Sequence, residues 1–271
     1  MTQTSTFQPT FLQKLLGRNY KWWYILKYNF NTSLAYRTTA VFIILRDLTP
    51  IFISLGIYGS FSEKSDYLSY LLIGNIFLKI VLWFADIAWE ISSNIRYGGI
   101  SSKMLKPTRW LVYELFAVIG GNFYTFVINA GILLFLMAYN NISFELNLSF
   151  WLALLMVTFI ASIIYYIIDL LFGSVTFWTP ETNTLIELKM AITPFLAGAL
   201  VIFDYNPNLN ILKFLPWSFI TYHPMQIYLG KYNSTETLLV FLGGIAWCVI
   251  LYFLANFVFK MGLKRNESVG L

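Results

Sequence analysis

Six stretches of this chain are long and apolar enough to cross a lipid bilayer, and they constrain its fold more than any other feature. They run at about Thr38–Phe61, Tyr67–Ile91, Val112–Tyr139, Phe150–Phe172, Leu185–Tyr205 and Leu238–Met261. A helical span needs roughly 20 mainly apolar residues to match the hydrocarbon core. In that core every backbone N–H and C=O must find its partner within the protein, which leaves helices or closed barrels. Barrel strands would alternate polar and apolar residues over about ten positions, whereas Ile132–Ala138 and Trp247–Leu254 are apolar on every face. The expected fold is an all-α membrane protein: residues 1–271 as one unit with six transmembrane helices. Charged residues are only 11% of the chain and hydrophobic ones 58%. A soluble surface usually needs about a quarter charged residues, so lipid must cover much of this one.

Basic residues orient the spans. Lys14, Arg18, Lys21, Lys27 and Arg37 precede the first span. Arg96, Lys103, Lys106 and Arg109 lie between the second and third, and Lys260, Lys264 and Arg265 close the sixth. The opposite side holds Lys64, Lys213 and Lys231. Positive residues stay cytoplasmic, which places both termini and the second-to-third loop there, in a multi-pass protein of the inner (plasma) membrane. The net charge of +5 is thereby a topology signal and argues against a nucleic-acid partner. Residues 1–10 are polar and lack the basic start and apolar core of a cleavable leader. Residues 11–30 combine Lys14, Arg18 and Lys21 at helical spacing with an apolar face of leucines, tryptophans and Phe30. This pattern suits a helix lying in the cytoplasmic interface; a basic tail that only sets topology is the plainer reading.

Charges inside the spans must pair or face water, because one at the bilayer centre costs about 2.5–3.5 kcal/mol. Arg46 and Asp47 fall in the first span, Lys79 and Asp86 in the second. Asp47 lies about 14 Å from the cytoplasmic end of its span and Lys79 about 16–18 Å from the same side, while Arg46 and Asp86 differ by about one turn. Ion pairs between the first two helices are expected, with a proton or substrate relay as the functional alternative.

The cytoplasmic segment 92–110 is the most informative loop. After Tyr97, the pair Gly98-Gly99 breaks the second helix. Ser101 and Ser102 can cap a short new one, and Pro107 suits the first turn of the third span. Ile100, Met104 and Leu105 on one side of that short helix, next to Lys106, would form a docking element for a soluble partner; an ordinary connecting loop is the alternative.

These features occur in an order that resembles the ABC type-2 permeases, in the branch that pairs an ATPase with two small permeases. The similarity is carried by Tyr36-Arg37, by Gly98-Gly99-Ile100 through Leu105-Lys106-Pro107, and by Phe177-Trp178. It continues through Leu215-Pro216-Trp217, Tyr222-His223-Pro224, Leu229-Gly230 and the tail from Gly262-Leu263-Lys264-Arg265 to Val269-Gly270. It covers nearly the whole chain, although each motif alone is weak. The resemblance implies an interfacial N-terminal helix, six spans, and a coupling helix in the first cytoplasmic loop that contacts ATPase subunits through Tyr97, Gly98, Gly99, Ile100, Met104, Leu105 and Lys106. It also implies a second, homologous or identical permease as dimer partner and short re-entrant helices on the outer side, where the aromatic segment 206–237 falls.

No G-x-x-x-x-G-K-[ST] phosphate loop is present in the sequence, so this chain is expected to hold no cofactor, with ATP and magnesium bound by the partner ATPase. A G-x-S-x-G elbow is also missing. A single histidine, His223, excludes a multi-histidine metal site within one chain, and a single cysteine, Cys248, excludes an internal disulfide. The expected function is that of a permease exporting a substrate from the cytoplasm or inner leaflet. A proton-coupled secondary transporter using Lys79 and Asp86 is the alternative, weakened by the lack of evident repeats or paired broken helices. A membrane-embedded transferase would need converging acid, base or metal ligands.

Overall fold

A computed structural model describes residues 20–35, scattered positions between 38 and 56, and residues 64–83, 87–100, 110–139, 148–179, 181–205 and 207–269. Among these residues there are helices and turns and no strand. In chain order the α-helices are α1 (Tyr20–Ala35), α2 (Lys64–Trp83), α3 (Ile87–Arg96), α4 (Trp110–Tyr139), α5 (Leu148–Ser174), α6 (Thr182–Leu196), α7 (Tyr222–Tyr228) and α8 (Ser234–Val269). Short 3-10 turns occupy Val175–Phe177, Phe203–Tyr205, Pro207–Phe214 and Pro216–Phe219.

The sequence favours six spans; the described residues hold three helical runs long and apolar enough to cross a membrane. These are Leu72–Arg96, Leu152–Phe177 and Ser234–Arg265. A fourth is added if α4, bent by 45° between Tyr124 and Phe126, crosses as one unit. The first expected span lies largely outside the described residues, although Val41, Phe42, Ile44, Leu45 and Leu48 within it are helical. The fifth requires correction. Leu185–Tyr205 is not one helix: α6 ends at Leu196, and its 15 residues reach only about 22 Å against a hydrocarbon core of about 30 Å. Two local causes end it. Pro194 cannot donate a backbone hydrogen bond, and Gly198 adopts a φ of 77°, turning the chain so that Ala199 N–H bonds back to Pro194 O at 2.9 Å.

Helix α5 supplies the centre of the core. Leu154, Val157, Ala161, Ile164, Tyr165 and Ile168 recur at helical spacing and are all buried, while Leu155, Met156 and Phe159 on its other side are exposed. Helix α8 packs along α5 at its small residues, Gly244 lying against Ile160 and Phe219. Its start is fixed by a reciprocal cap: Glu236 N–H donates to Asn233 Oδ1 and Asn233 N–H to Glu236 Oε2, both at 2.8 Å. Its outward side, including Leu242, Ile245, Val249, Phe253 and Phe257, is exposed and apolar. Such a surface suits lipid or a neighbouring membrane helix.

Helix α1 lies lengthwise on the first half of α4. Trp22 stacks on Phe116 at 5.1 Å and Phe30 meets Phe123 edge-on at 5.9 Å, so the two helices run in the same direction. Between these contacts the Leu26 carbonyl rests against the backbone of Gly120. The expected interfacial segment 11–30 is described only from residue 20, and its helix continues to Ala35.

Candidate functional site

The turn after α3 is built by its glycine. Tyr97 N–H bonds to Ser93 O at 3.0 Å and Gly98 N–H to Ile95 O at 3.3 Å. Gly98 has a φ of 72°, the left-handed cap conformation that glycine adopts without strain. The chain resumes helical geometry at Gly99 and Ile100, so the glycine pair breaks the helix where the sequence says it should. Tyr97 is 80% exposed at the tip. Ile100, expected on an open docking face, is instead 1% exposed and part of the chain's own core. The turn folds it back inward. Met104, Leu105 and Lys106 lie outside the described residues, as do Arg46, Asp47 and Asp86. Lys79 is half-buried in α2, and both expected cross-span pairs therefore involve a residue outside the description.

The structure brings together a different buried pair. Lys189 Nζ of α6 forms an ion pair with Asp169 Oδ1 of α5, the two side chains 3% and 2% exposed. The other carboxylate oxygen, Oδ2, accepts the Ala88 N–H at 2.8 Å. Lys189 Nζ also sits 4.9 Å from the Tyr165 ring centroid. Asp169 thus ties α3, α5 and α6 at one point. At the far end of α3, Arg96 Nη2 donates to Asn183 Oδ1 at 2.9 Å, a second bridge from α3 to α6. The signal for the pair was in the sequence: Asp169 and Lys189 stand about 8 Å and 10 Å from the connection that joins their helices.

The opposite end of the molecule carries a polar and aromatic cluster between α6 and α8. Asp204 accepts from Lys213 Nζ at 2.7 Å, from Tyr222 Oη at 2.8 Å, and from Gln226 Nε2. Burial works to raise the Asp204 carboxyl, but the hydrogen bonds from Lys213 and Tyr222 and the lysine charge outweigh it and hold it below its ordinary value. His223 Nε2 lies 3.0 Å from the Lys213 carbonyl, and Nδ1 3.0 Å from Tyr232 Oη. A carbonyl can only accept, so Nε2 carries the proton and Nδ1 accepts from the tyrosine. Burial holds this imidazole neutral and lowers it to about 4, the lysine charge adding to the effect. Both ring nitrogens are occupied in holding loops together. The sequence had placed Asp204 inside the fifth span, which hid this cluster.

Tyr70 Oη, from α2, donates to Gly198 O at 2.8 Å, and Tyr222 N–H donates to Ala197 O at 3.0 Å. The cluster is thereby bonded to the end of α6. A family model described as an ABC-2 family transporter protein matches residues 33–270 of the chain. No curated protein matches it.

Proposed function

This chain belongs to the ABC-2 family of transporter proteins, a multi-pass membrane protein by its apolar helices, and from that premise we propose that it is the permease subunit of an ATP-driven exporter. ATP is hydrolysed by separate cytoplasmic ATPase subunits, since no phosphate loop occurs anywhere in the sequence. Those subunits hold the nucleotide and its magnesium. The family match carries the reading, and the exposed Tyr97 at the end of the half-buried helix α3 supports a contact point. In this orientation the α3 turn, the α5–α6 connection, both termini and the end of α8 face the cytoplasm, and segment 206–237 faces the outside as short re-entrant helices. A second permease completes the translocation path against the exposed apolar faces, and substrate leaves the cytoplasm or inner leaflet.

The docking element comprises Tyr97, Gly98 and Gly99 with Met104, Leu105 and Lys106, while Ile100 anchors it from within. Burying an apolar side chain at a partner contributes about 1.5–3 kcal/mol, so losing one anchor weakens assembly about tenfold or more. Changing Met104 and Leu105 to serine leaves insertion intact and lowers recovery of the ATPase on co-purification. A folded double variant that retains its full complement of ATPase removes this element from the interface.

A further inference from the structure

We infer that the Asp169–Lys189 pair makes α3, α5 and α6 a single lever that carries motion of the Tyr97–Gly98 turn to segment 197–228 at the other end of the molecule. The inference rests on the permease reading for the origin of that motion; the lever itself follows from geometry. Asp169 uses its two oxygens on two different helices, the Ala88 amide of α3 and the Lys189 ammonium of α6. Both side chains are nearly removed from solvent. If α6 slid against α5, the Asp169 and Lys189 charges would part in a buried site, where an unpaired charge carries a large desolvation penalty; if α3 slid against α5, the buried Ala88 amide would lose its acceptor. Moving the helices together strands nothing.

Packing argues the same way. A Cβ on Gly173 of α5 would come within 2.9 Å of Ile91 Cβ and 3.0 Å of Ala88 O, so α3 rests directly on the α5 backbone at this glycine. Ile87, Ala88 and Ile91 on that side of α3 are fully buried. The Arg96–Asn183 bond is a further contact between α3 and α6 near the turn, exposed and apart from the buried pair. From α6 the connection continues through Ala197 O to the Tyr222 amide, which opens α7. Lys189 is a positioning residue in this scheme: it acts through Asp169 and touches no substrate.

The test places thiols at the second bridge. In a Cys248→Ala chain carrying Arg96→Cys and Asn183→Cys, a short bifunctional thiol reagent joins α3 to α6 within one chain, read by mass spectrometry of the linked peptides. The protein is held in lipid nanodiscs with its ATPase. With the pair intact, crosslinking is expected to be equal without nucleotide and with ATP, magnesium and vanadate. In the Asp169→Asn/Lys189→Met double variant, which removes both charges of the pair, trapping the nucleotide lowers it about threefold or more, because the untied helices separate. An intact chain whose crosslinking differs between the two nucleotide states by that amount overturns the lever, and that comparison requires no change at the buried pair. A folded double variant that behaves like the intact chain also overturns it. If no ATPase co-purifies, the permease reading fails instead. Crosslinking of the intact and double-variant chains on their own then decides the lever, which stands if the double variant links more slowly and falls if the two are equal.

Discussion

At Gly120 the absence of a side chain allows α1 to rest on α4. A Cβ there would overlap the Leu26 carbonyl, whereas a Cβ on Gly131 in the same helix would meet nothing within 4 Å. Gly120→Ala should therefore push the two helices apart and cost about 1–3 kcal/mol. Gly131→Ala should be neutral or slightly stabilising, because alanine is the better helix former. Thermal unfolding of the two variants in the same detergent, followed by tryptophan fluorescence, checks the contrast; equal melting temperatures would mean that α1 does not lie on Gly120. Single residues also mark where sequence reading stops. Gly98 was legible as a helix breaker from its neighbour and spacing. The burial of Ile100 was not, because an apolar residue past a turn looks the same whether it faces a partner or its own core. Asp169 and Lys189 could have been paired by the same depth arithmetic applied to the first two spans.

At the scale of elements, the segment between α6 and α8 has its own pH response. The fold holds His223 at about 4 against its ordinary 6.5. Between those values the unfolded segment takes up a proton that the folded one refuses, so stability present above 6.5 is lost as pH falls toward 4. Asp204 is held below its ordinary value, and its contribution is lost only further down, as pH falls through its folded value. Amide hydrogen exchange across 207–228, corrected for intrinsic rates, should show weaker protection at about pH 5 than at about pH 7, and His223→Gln should flatten that difference. Protection unchanged over that range would show that the imidazole does not hold the segment. Helix α6 carries the other lesson at this scale. Its apolar composition continues past residue 200, but Pro194 and Gly198 end the helix, and hydropathy averaged over a window does not register where hydrogen bonding stops.

For the whole molecule, membership of the ABC-2 family and the missing phosphate loop lead to one plain expectation. Purified alone, the chain should show no magnesium-dependent ATP hydrolysis above a mock preparation, for it has no backbone cradle for the phosphates; turnover that follows the pure chain would exclude the proposed division of labour. The sequence by itself determined that this is a helical membrane protein, where α3 breaks, and which family it joins. Those properties follow from composition, local periodicity and ordered motifs, all readable along one dimension. Tertiary structure alone decided that Ile100 is covered, that Asp169 serves three helices, and that Asp204 and His223 gather the short turns near α7 into one cluster. Each depends on how separate elements pack against one another in three dimensions. Within an almost uniformly apolar sequence, hydropathy distinguishes buried from lipid-facing positions poorly, because both environments favour the same side chains.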